Sequence, residues 1–317
     1  MKIVITGSIA FDYLMTFPGR FSEHILPDRI EDISLSFLVD NLILRPGGIA
    51  ANIAYTLALL GERPLVMATV GPDFEEHRQR LELQGVDTSA IKVIPDLFTA
   101  SFFVNTDQAN CQIASFYPGA MAKASELSFK EIDPVPDMAL ISPNDPQAMI
   151  KYVQECSELG IPYAYDPSQQ IVRLSSEELS EGIIGAHSLF SNDYEFGLIE
   201  EKTGLNLEQI LENTAFIVIT RGDNGADLST AEGLIHVPAV TPERIADPTG
   251  VGDAFRGGFM KGYLNDLPLL RCAEMGVMAA TFCIEAEGPQ SHSFSLDGFI
   301  ERYRRNFDDS GELDRLR

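Results

Sequence analysis

The sequence predicts an α/β fold, a mostly parallel sheet covered by helices on both faces. Three observations carry that expectation. From Met138 to Thr220, short apolar runs alternate with helical stretches, the pattern of repeated strand–helix–strand units. The chain has 317 residues, 45% hydrophobic and 22% charged, which suits a globular chain with a sizeable core. A Pro/Gly-punctuated early stretch and an apolar hairpin break the alternation, and together they predict a small β lid over one edge of the sheet.

Lys2 to Thr6 reads as a buried strand, with Ile3, Val4 and Ile5 ahead of Gly7. Tyr13 to Pro46 reads as irregular apart from a strand at Leu42 to Leu44. Gly48 to Leu60 is small and apolar, a helix stopped by Gly61. Leu65 to Val70 is a strand and Phe74 to Leu83 a polar helix. Ala100 to Val104 and Gln112 to Tyr117 flank Asp107-Gln108-Ala109-Asn110, a hairpin. Strands then fall at Met138–Ser142, Pro162–Tyr165, Ser188–Ser191 and Phe216–Thr220. Helices fall between them at Pro146–Leu159, Ser176–Gly182 and Leu207–Glu212. Helices at Val251–Leu264, Leu269–Glu287 and Asp297–Asn306 follow, and the charged stretch Glu301 to Arg317 reads as a solvated helix with a frayed tail. Residues 1–317 form one domain in this reading, with the lid from insertions at 13–46 and 98–118. Right-handed crossovers put the strand C-termini on one edge, where open α/β sheets bind ligands.

The charge excludes whole classes of function. There are 23 basic and 47 acidic residues, a net charge of −24. Such a surface opposes nucleic-acid binding by phosphate neutralisation, and equally a polybasic membrane anchor. Cys111, Cys156, Cys272 and Cys283 form no C-x-x-C pair and read as reduced thiols. The N-terminal apolar run is too short for a signal-peptide core, and no run reaches transmembrane length. A soluble, cytoplasmic protein is expected.

The richest stretch is Asp247-Pro248-Thr249-Gly250-Val251-Gly252-Asp253. An apolar helical pattern begins at once after the two glycines, so Gly250, Val251 and Gly252 sit at a helix N-terminus. Their N–H groups lack intrahelical partners and, with the helix dipole, form an anion site. Asp253 lies beside it in the first turn. A carboxylate there makes sense as acceptor of the proton of a hydroxyl attacking a bound phosphate. The dipole should lower its pKa, giving a modest base. The loop alone fits a plain glycine turn equally well. P-loop, dinucleotide, G-x-S-x-G and H-E-x-x-H patterns are absent, and the histidines are scattered.

The loop resembles the D-[TP]-T-G-A-G-D motif of the ribokinase-like, or phosphofructokinase-B, family of carbohydrate and nucleoside kinases. Other features of that family follow in order: Gly7-Ser8 with Asp12, Gly47-Gly48 with Asn52, Asn192-Asp193-Tyr194-Glu195, and Thr220-Arg221-Gly222-Asp223-Asn224-Gly225. The resemblance implies a three-layer α/β/α fold with a small β lid. It implies Asp253 as catalytic base and Gly250, Val251 and Gly252 as the anion hole. Asp12, Gly47, Gly48 and Asn52 would hold the acceptor's hydroxyls. Asn192, Thr220, Gly222 and Gly225 would lie along ATP, with Asn192 and Glu195 placing Mg²⁺ through its water shell. Asp247 and Thr249 would be near a monovalent cation such as K⁺. Read without the family, Asn52 could bond backbone, Asp12 could be a turn residue, and Asn192 could cap the following helix. Arg256 could meet a phosphate or pair with Asp247, and a surface ion pair fits it equally well.

Local features resemble the family's nucleoside kinases, adenosine kinases among them: Asp253-Ala254-Phe255-Arg256-Gly257-Gly258-Phe259, Asp166-Pro167-Ser168-Gln169, and Ile284-Glu285-Ala286-Glu287-Gly288-Pro289-Gln290. The lid aromatics Phe98, Phe102, Phe103, Phe116 and Tyr117 could wall a base or simply pack the lid. Arg20, Arg29 and Arg45 are scattered, with no basic cluster for a sugar phosphate. The expected function is ATP-dependent phosphorylation of a ribonucleoside, adenosine first, at its 5′-hydroxyl. The alternatives are a ribose-, fructose- or 2-keto-3-deoxygluconate-type sugar kinase and a nucleotide-binding regulator without turnover. The expected partners are ATP and a small nucleoside or sugar; an aromatic lid is compatible with a homodimer formed through it.

Overall fold

A computed structural model of the protein describes residues 1–25, 31 and 34–317. Part of the early lid insertion, including Arg29, lies outside the described residues. The first half of the chain runs β1 (Ile3–Thr6), β2 (Ala10–Thr16), β3 (Asn41–Gly47), α1 (Ile49–Leu59), β4 (Leu65–Val70), α2 (Glu75–Gln84), β5 (Ile91–Val93), β6 (Ala100–Thr106), β7 (Gln112–Tyr117) and β8 (Met138–Ile141). The second runs α3 (Pro146–Leu159), β9 (Tyr163–Tyr165), α4 (Ser176–Ile184), β10 (Ser188–Asn192), α5 (Asp193–Thr203), α6 (Leu207–Leu211), β11 (Phe216–Thr220), β12 (Ala226–Thr230), β13 (Gly233–Val237), α7 (Val251–Leu264), α8 (Leu269–Ile284) and α9 (Leu296–Arg304).

Among the described residues, nine strands form one sheet in the order β13-β12-β11-β10-β9-β8-β1-β4-β5. It is parallel from β5 to β11, and β12 and β13 add as an antiparallel hairpin at one edge. Alternation along β1 shows why it is buried on both sides. Ile3 and Ile5 enter one core with α1, α7, α8 and α9, while Val4 enters the other with α3, α4 and α5. On the first side α7 lies hard against α8. A Cβ on Gly258 would stand 2.4 Å from the Met275 carbonyl oxygen, so only glycine permits that approach.

The segments expected to form the lid make a second sheet, β3-β2-β6-β7. The expected irregularity after Tyr13 is corrected here. A full strand starts at Ala10 and pairs antiparallel with β3 from Ala10–Gly47 to Thr16–Asn41. Its polar and aromatic alternation, Asp12, Tyr13, Leu14, serves two different faces and so hides the strand signal. The hairpin Ala100–Thr106/Gln112–Tyr117 is as expected. The short β5 and the β12–β13 hairpin escaped the sequence reading. β13 in particular is mostly exposed and lacks the apolar run of a buried strand. The frayed tail is also corrected. Leu313 and Leu316 are buried, and Asp309 accepts from Arg304 and from the Leu313 amide.

Candidate active site

Five strand ends meet at one place. Ser8 follows β1, Pro143 follows β8, Asp166 follows β9, Asn192 ends β10 and Thr220 ends β11, and all five line a cleft of about 930 Å³. The loop from Asp247 and the start of α7 form one wall, and the lid contributes Asp12, Leu14, Phe102 and Phe116. Phe102 and Phe116 are direct cross-strand partners. Phe103 points to the other face and stacks on Tyr13 at 4.6 Å.

Of the residues expected from sequence, Asp12, Gly48, Asn52, Asn192, Glu195, Thr220, Asp247, Thr249, Gly250, Val251, Gly252 and Asp253 all line this cleft. Gly47 stands behind it, where a Cβ would come within 2.9 Å of an Asp12 carboxylate oxygen. Gly222 and Gly225 lie in the turn after β11, outside the cleft wall. Gly250 is the N-cap of α7 with φ +78°, and a Cβ there would meet the Pro289 side chain at 2.4 Å. The left-handed turn brings the chain into the helix with Gly250, Val251 and Gly252 on the cleft wall.

Asp253 sits in the first turn of α7, and Asn52 of α1 donates to it at 2.7 Å. Gln290 in turn donates to the Asn52 carbonyl oxygen at 2.8 Å. The sequence reading expected the helix dipole to lower the Asp253 pKa, and the structure corrects this. Burial dominates and raises it to about 6, against the pull of Arg256 and the Asn52 hydrogen bond. The dipole falls off within a turn, whereas desolvation acts on the whole carboxylate.

Arg256 does not pair with Asp247 and is not a surface residue. It is buried, donates to Asp166 at 2.7 Å and to the Gly252 carbonyl oxygen at 2.9 Å. Burial pushes the Asp166 carboxyl up to about 7 and Arg256, which keeps its charge, draws it back. Asp247 instead pairs with Arg45 of β3 and accepts from the Thr249 amide, so the lid and the anion loop are tied by a charge pair. Asp12 is raised to about 6 by burial and by Asp247, partly offset by Arg45.

Asn192 and Glu195 form a reciprocal capping box on α5. Asn192 accepts from the Glu195 amide at 2.7 Å, and Glu195 accepts from the Asn192 amide at 2.9 Å. The other Glu195 oxygen accepts from the Ser168 hydroxyl at 2.7 Å. Thr220 stands beside them on β11.

Sequence reasoning did not single out Arg45, Asp166, Gln170 or Arg173 as cleft residues, yet all four line it. Asp166 carried a readable signal, since it ends a strand that precedes a ligand-binding edge. Arg45 carried none, because its partner Asp247 is 202 positions away.

The arrangement is an anion-binding helix start, a partly protonatable carboxylate beside it and an aromatic roof. The profile of the pfkB family of carbohydrate kinases matches residues 10–295, and the chain belongs to that family. It is an ATP-dependent kinase acting on a nucleoside or sugar. A nucleoside kinase from Methanocaldococcus jannaschii is 26% identical over 96% of this chain and 97% of its own length. A cytidine kinase from Thermococcus kodakarensis is 26% identical over 92% of this chain and 99% of its own. Among solved structures, a nucleoside kinase from Burkholderia thailandensis in complex with inosine is 34% identical. It superposes with a TM-score of 0.86, covering 96% of this chain and 98% of that one. The fold is that of the ribokinase family.

Proposed function

We propose that the chain transfers the γ-phosphoryl group of ATP to the 5′-hydroxyl of a ribonucleoside, adenosine first, with Asp253 as the base. The observation that carries this reading is Asp253 in the first turn of α7, held by Asn52, in a cleft that Phe102 and Phe116 of the lid also line. Asp253 accepts the hydroxyl proton as the oxygen attacks. The amides of Gly250, Val251 and Gly252, of which Val251 makes only a long 3.4 Å bond to the Pro248 carbonyl oxygen, receive the charge on the transferred phosphoryl group. Asp12, Gly48 and Asn52 orient the ribose, and Asn192, Thr220 and the turn through Gly222 and Gly225 flank the nucleotide. In this reading residues 1–317 act as one kinase domain under its lid.

Among the described residues no three His, Cys, Asp or Glu side chains group to hold a metal ion by themselves. The Asn192 and Glu195 oxygens nonetheless fit Mg²⁺, a hard ion that keeps its waters and is shared with substrate phosphates. When bound, it would neutralise phosphate charge. The oxygens of Asp247 and Thr249 suit K⁺ by donor type. Arg45 already neutralises Asp247, so K⁺ is an accessory in this reading.

The nucleoside reading stands above the sugar reading because the lid sets Leu14, Phe102 and Phe116 on the cleft beside Asp12 and Arg45, an apolar wall that a base uses and sugar hydroxyls alone do not need. A sugar phosphate would need free positive charge. Of the three arginines that line the cleft, Arg45, Arg173 and Arg256, two are neutralised by a carboxylate, which leaves Arg173 alone and no cluster. A panel of nucleosides and free sugars with MgATP, read as ADP formed, tests this. Nucleosides should be phosphorylated, adenosine fastest. Activity on ribose or fructose with none on nucleosides would reject the nucleoside acceptor. Activity fastest on another nucleoside would reject only adenosine.

The lid also supports a homodimer in this reading. Every residue of β7 is exposed, Ile113, Phe116 and Tyr117 among them, and Leu42 and Leu44 are exposed on β3 at the opposite edge. Uncovered sheet edges invite pairing. Light scattering behind size exclusion should return twice the chain mass; a monomer at micromolar concentration would reject it.

A further inference from the structure

Gln290 belongs to a segment that the proposed chemistry leaves unused. The turn after α8 brings Pro289 against Gly250 and Gln290 against Asn52. The resulting chain runs from Gln290 Nε2 to Asn52 Oδ1, and from Asn52 Nδ2 to Asp253 Oδ2, at 2.8 and 2.7 Å. Asn52 is buried, and both ends of its amide are met by protein groups.

The direction of this chain carries information. An ionised carboxylate only accepts hydrogen bonds, whereas an amide has one accepting and one donating end. Asn52 can donate to ionised Asp253 only if its carbonyl faces away, and that carbonyl then needs a donor. Gln290 is that donor. With the amide reversed, Asn52 would point its carbonyl at Asp253, an arrangement that suits only the protonated acid.

We propose that Gln290 is a positioning residue for phosphoryl transfer: by fixing the orientation of the Asn52 amide it holds Asp253 in the proton-accepting form. The inference rests on the reading of Asp253 as base. Other groups act on Asp253 from the elements around it: Arg256 on α7, Glu195 on α5, Asp166 after β9 and Cys283 on α8. The Gln290 substitutions touch none of them. Asp12 on the lid also titrates near pH 6, but it faces the acceptor and moves with the acceptor's KM rather than with kcat at saturation.

The test uses Gln290→Met, which keeps the length and loses the donor, and Gln290→Glu, which keeps the shape and turns the donor into an acceptor. For each, kcat at saturating MgATP and nucleoside is measured from pH 5 to 9, beside wild type and Asp253→Asn. The acid limb of kcat should move up by about half a unit or more, because a hydrogen bond to the charged form is lost. Glu should move it at least as far as Met, and kcat at pH 6 should fall about twofold for a half-unit shift and about fivefold for a full unit, with acceptor KM within about twofold. Melting temperatures identify a variant that fails to fold, in which case the other carries the test. A limb that stays at the wild-type position in a folded variant overturns the proposal whatever happens to kcat. If Asp253→Asn keeps its turnover, the base assignment itself fails; if it is inactive and the limb is unmoved, only the role of Gln290 fails.

Discussion

Replacing Asp253 with Asn is expected to lower kcat by about 10²–10⁴-fold while MgATP and nucleoside still bind. The amide keeps the size of the side chain and can still accept from Asn52, so the cleft should keep its shape. What it loses is the ability to take a proton. The same substitution should make the protein more stable at neutral pH. Burial raises the Asp253 pKa from 3.8 to about 6. Between those values the folded chain holds a proton that the unfolded chain has released, so stability falls as pH rises through this window. Above it, the ionised carboxylate costs the fold about 2–3 kcal/mol. Asp253→Asn removes that cost, so its midpoint in urea should exceed wild type at pH 7.5, with the difference closing by pH 4. Turnover within about tenfold of wild type would remove Asp253 as base. Equal stability at pH 7.5 would show that the buried charge is compensated more fully than burial suggests.

Breaking the Arg256–Asp166 pair should have the largest effect on folding. Both side chains are buried, and the guanidinium meets Asp166 through Nε at 2.5 Å and through its terminal nitrogen at 2.7 Å. Arg256→Met leaves Asp166 without its counter-charge and Gly252 without its carbonyl partner. The expected loss is about 3–5 kcal/mol, because one partner of a buried pair is stranded. Exchanging both residues, Arg256→Met with Asp166→Leu, should recover at least half of that, since two apolar groups strand nothing. Denaturant midpoints of the two singles and the double complete the cycle. A double variant no more stable than Arg256→Met alone would show that the cost lies in packing. The recovered fold should remain a poor enzyme, because Arg256 also tethers the Gly252 carbonyl at the anion loop.

Much of this was legible before any coordinates. Helix α3 and strand β11 fall where Pro146–Leu159 and Phe216–Thr220 predict them, because an N-capping Asp145, a closing Gly160 and unbroken apolar runs are local signals. The loop from Asp247 to Asp253 was legible for the same reason: its chemistry is contiguous. What stayed hidden is what long-range contact decides. Asn52 meets Asp253 across 201 positions, and Arg256 meets Asp166 across 90. Strand β2 was missed because one of its faces looks into a polar cleft, so Asp12 interrupts the apolar pattern that marks a strand. The Asp253 pKa was misjudged because the helix start is visible in sequence and the burial around it is not.

The capping box of Asn192 and Glu195 bears on how such a chain could drift. Those two side chains start α5 by bonding each other's backbone, so selection for folding alone would retain them after turnover had been lost. The motif they form would then outlive the activity it suggests. Asp253 is in the opposite position. Its burial outweighs the Asn52 bond and the Arg256 charge at neutral pH, so a lineage released from catalysis would gain by replacing it. A carboxylate still standing at that position is therefore the more telling mark of a working enzyme.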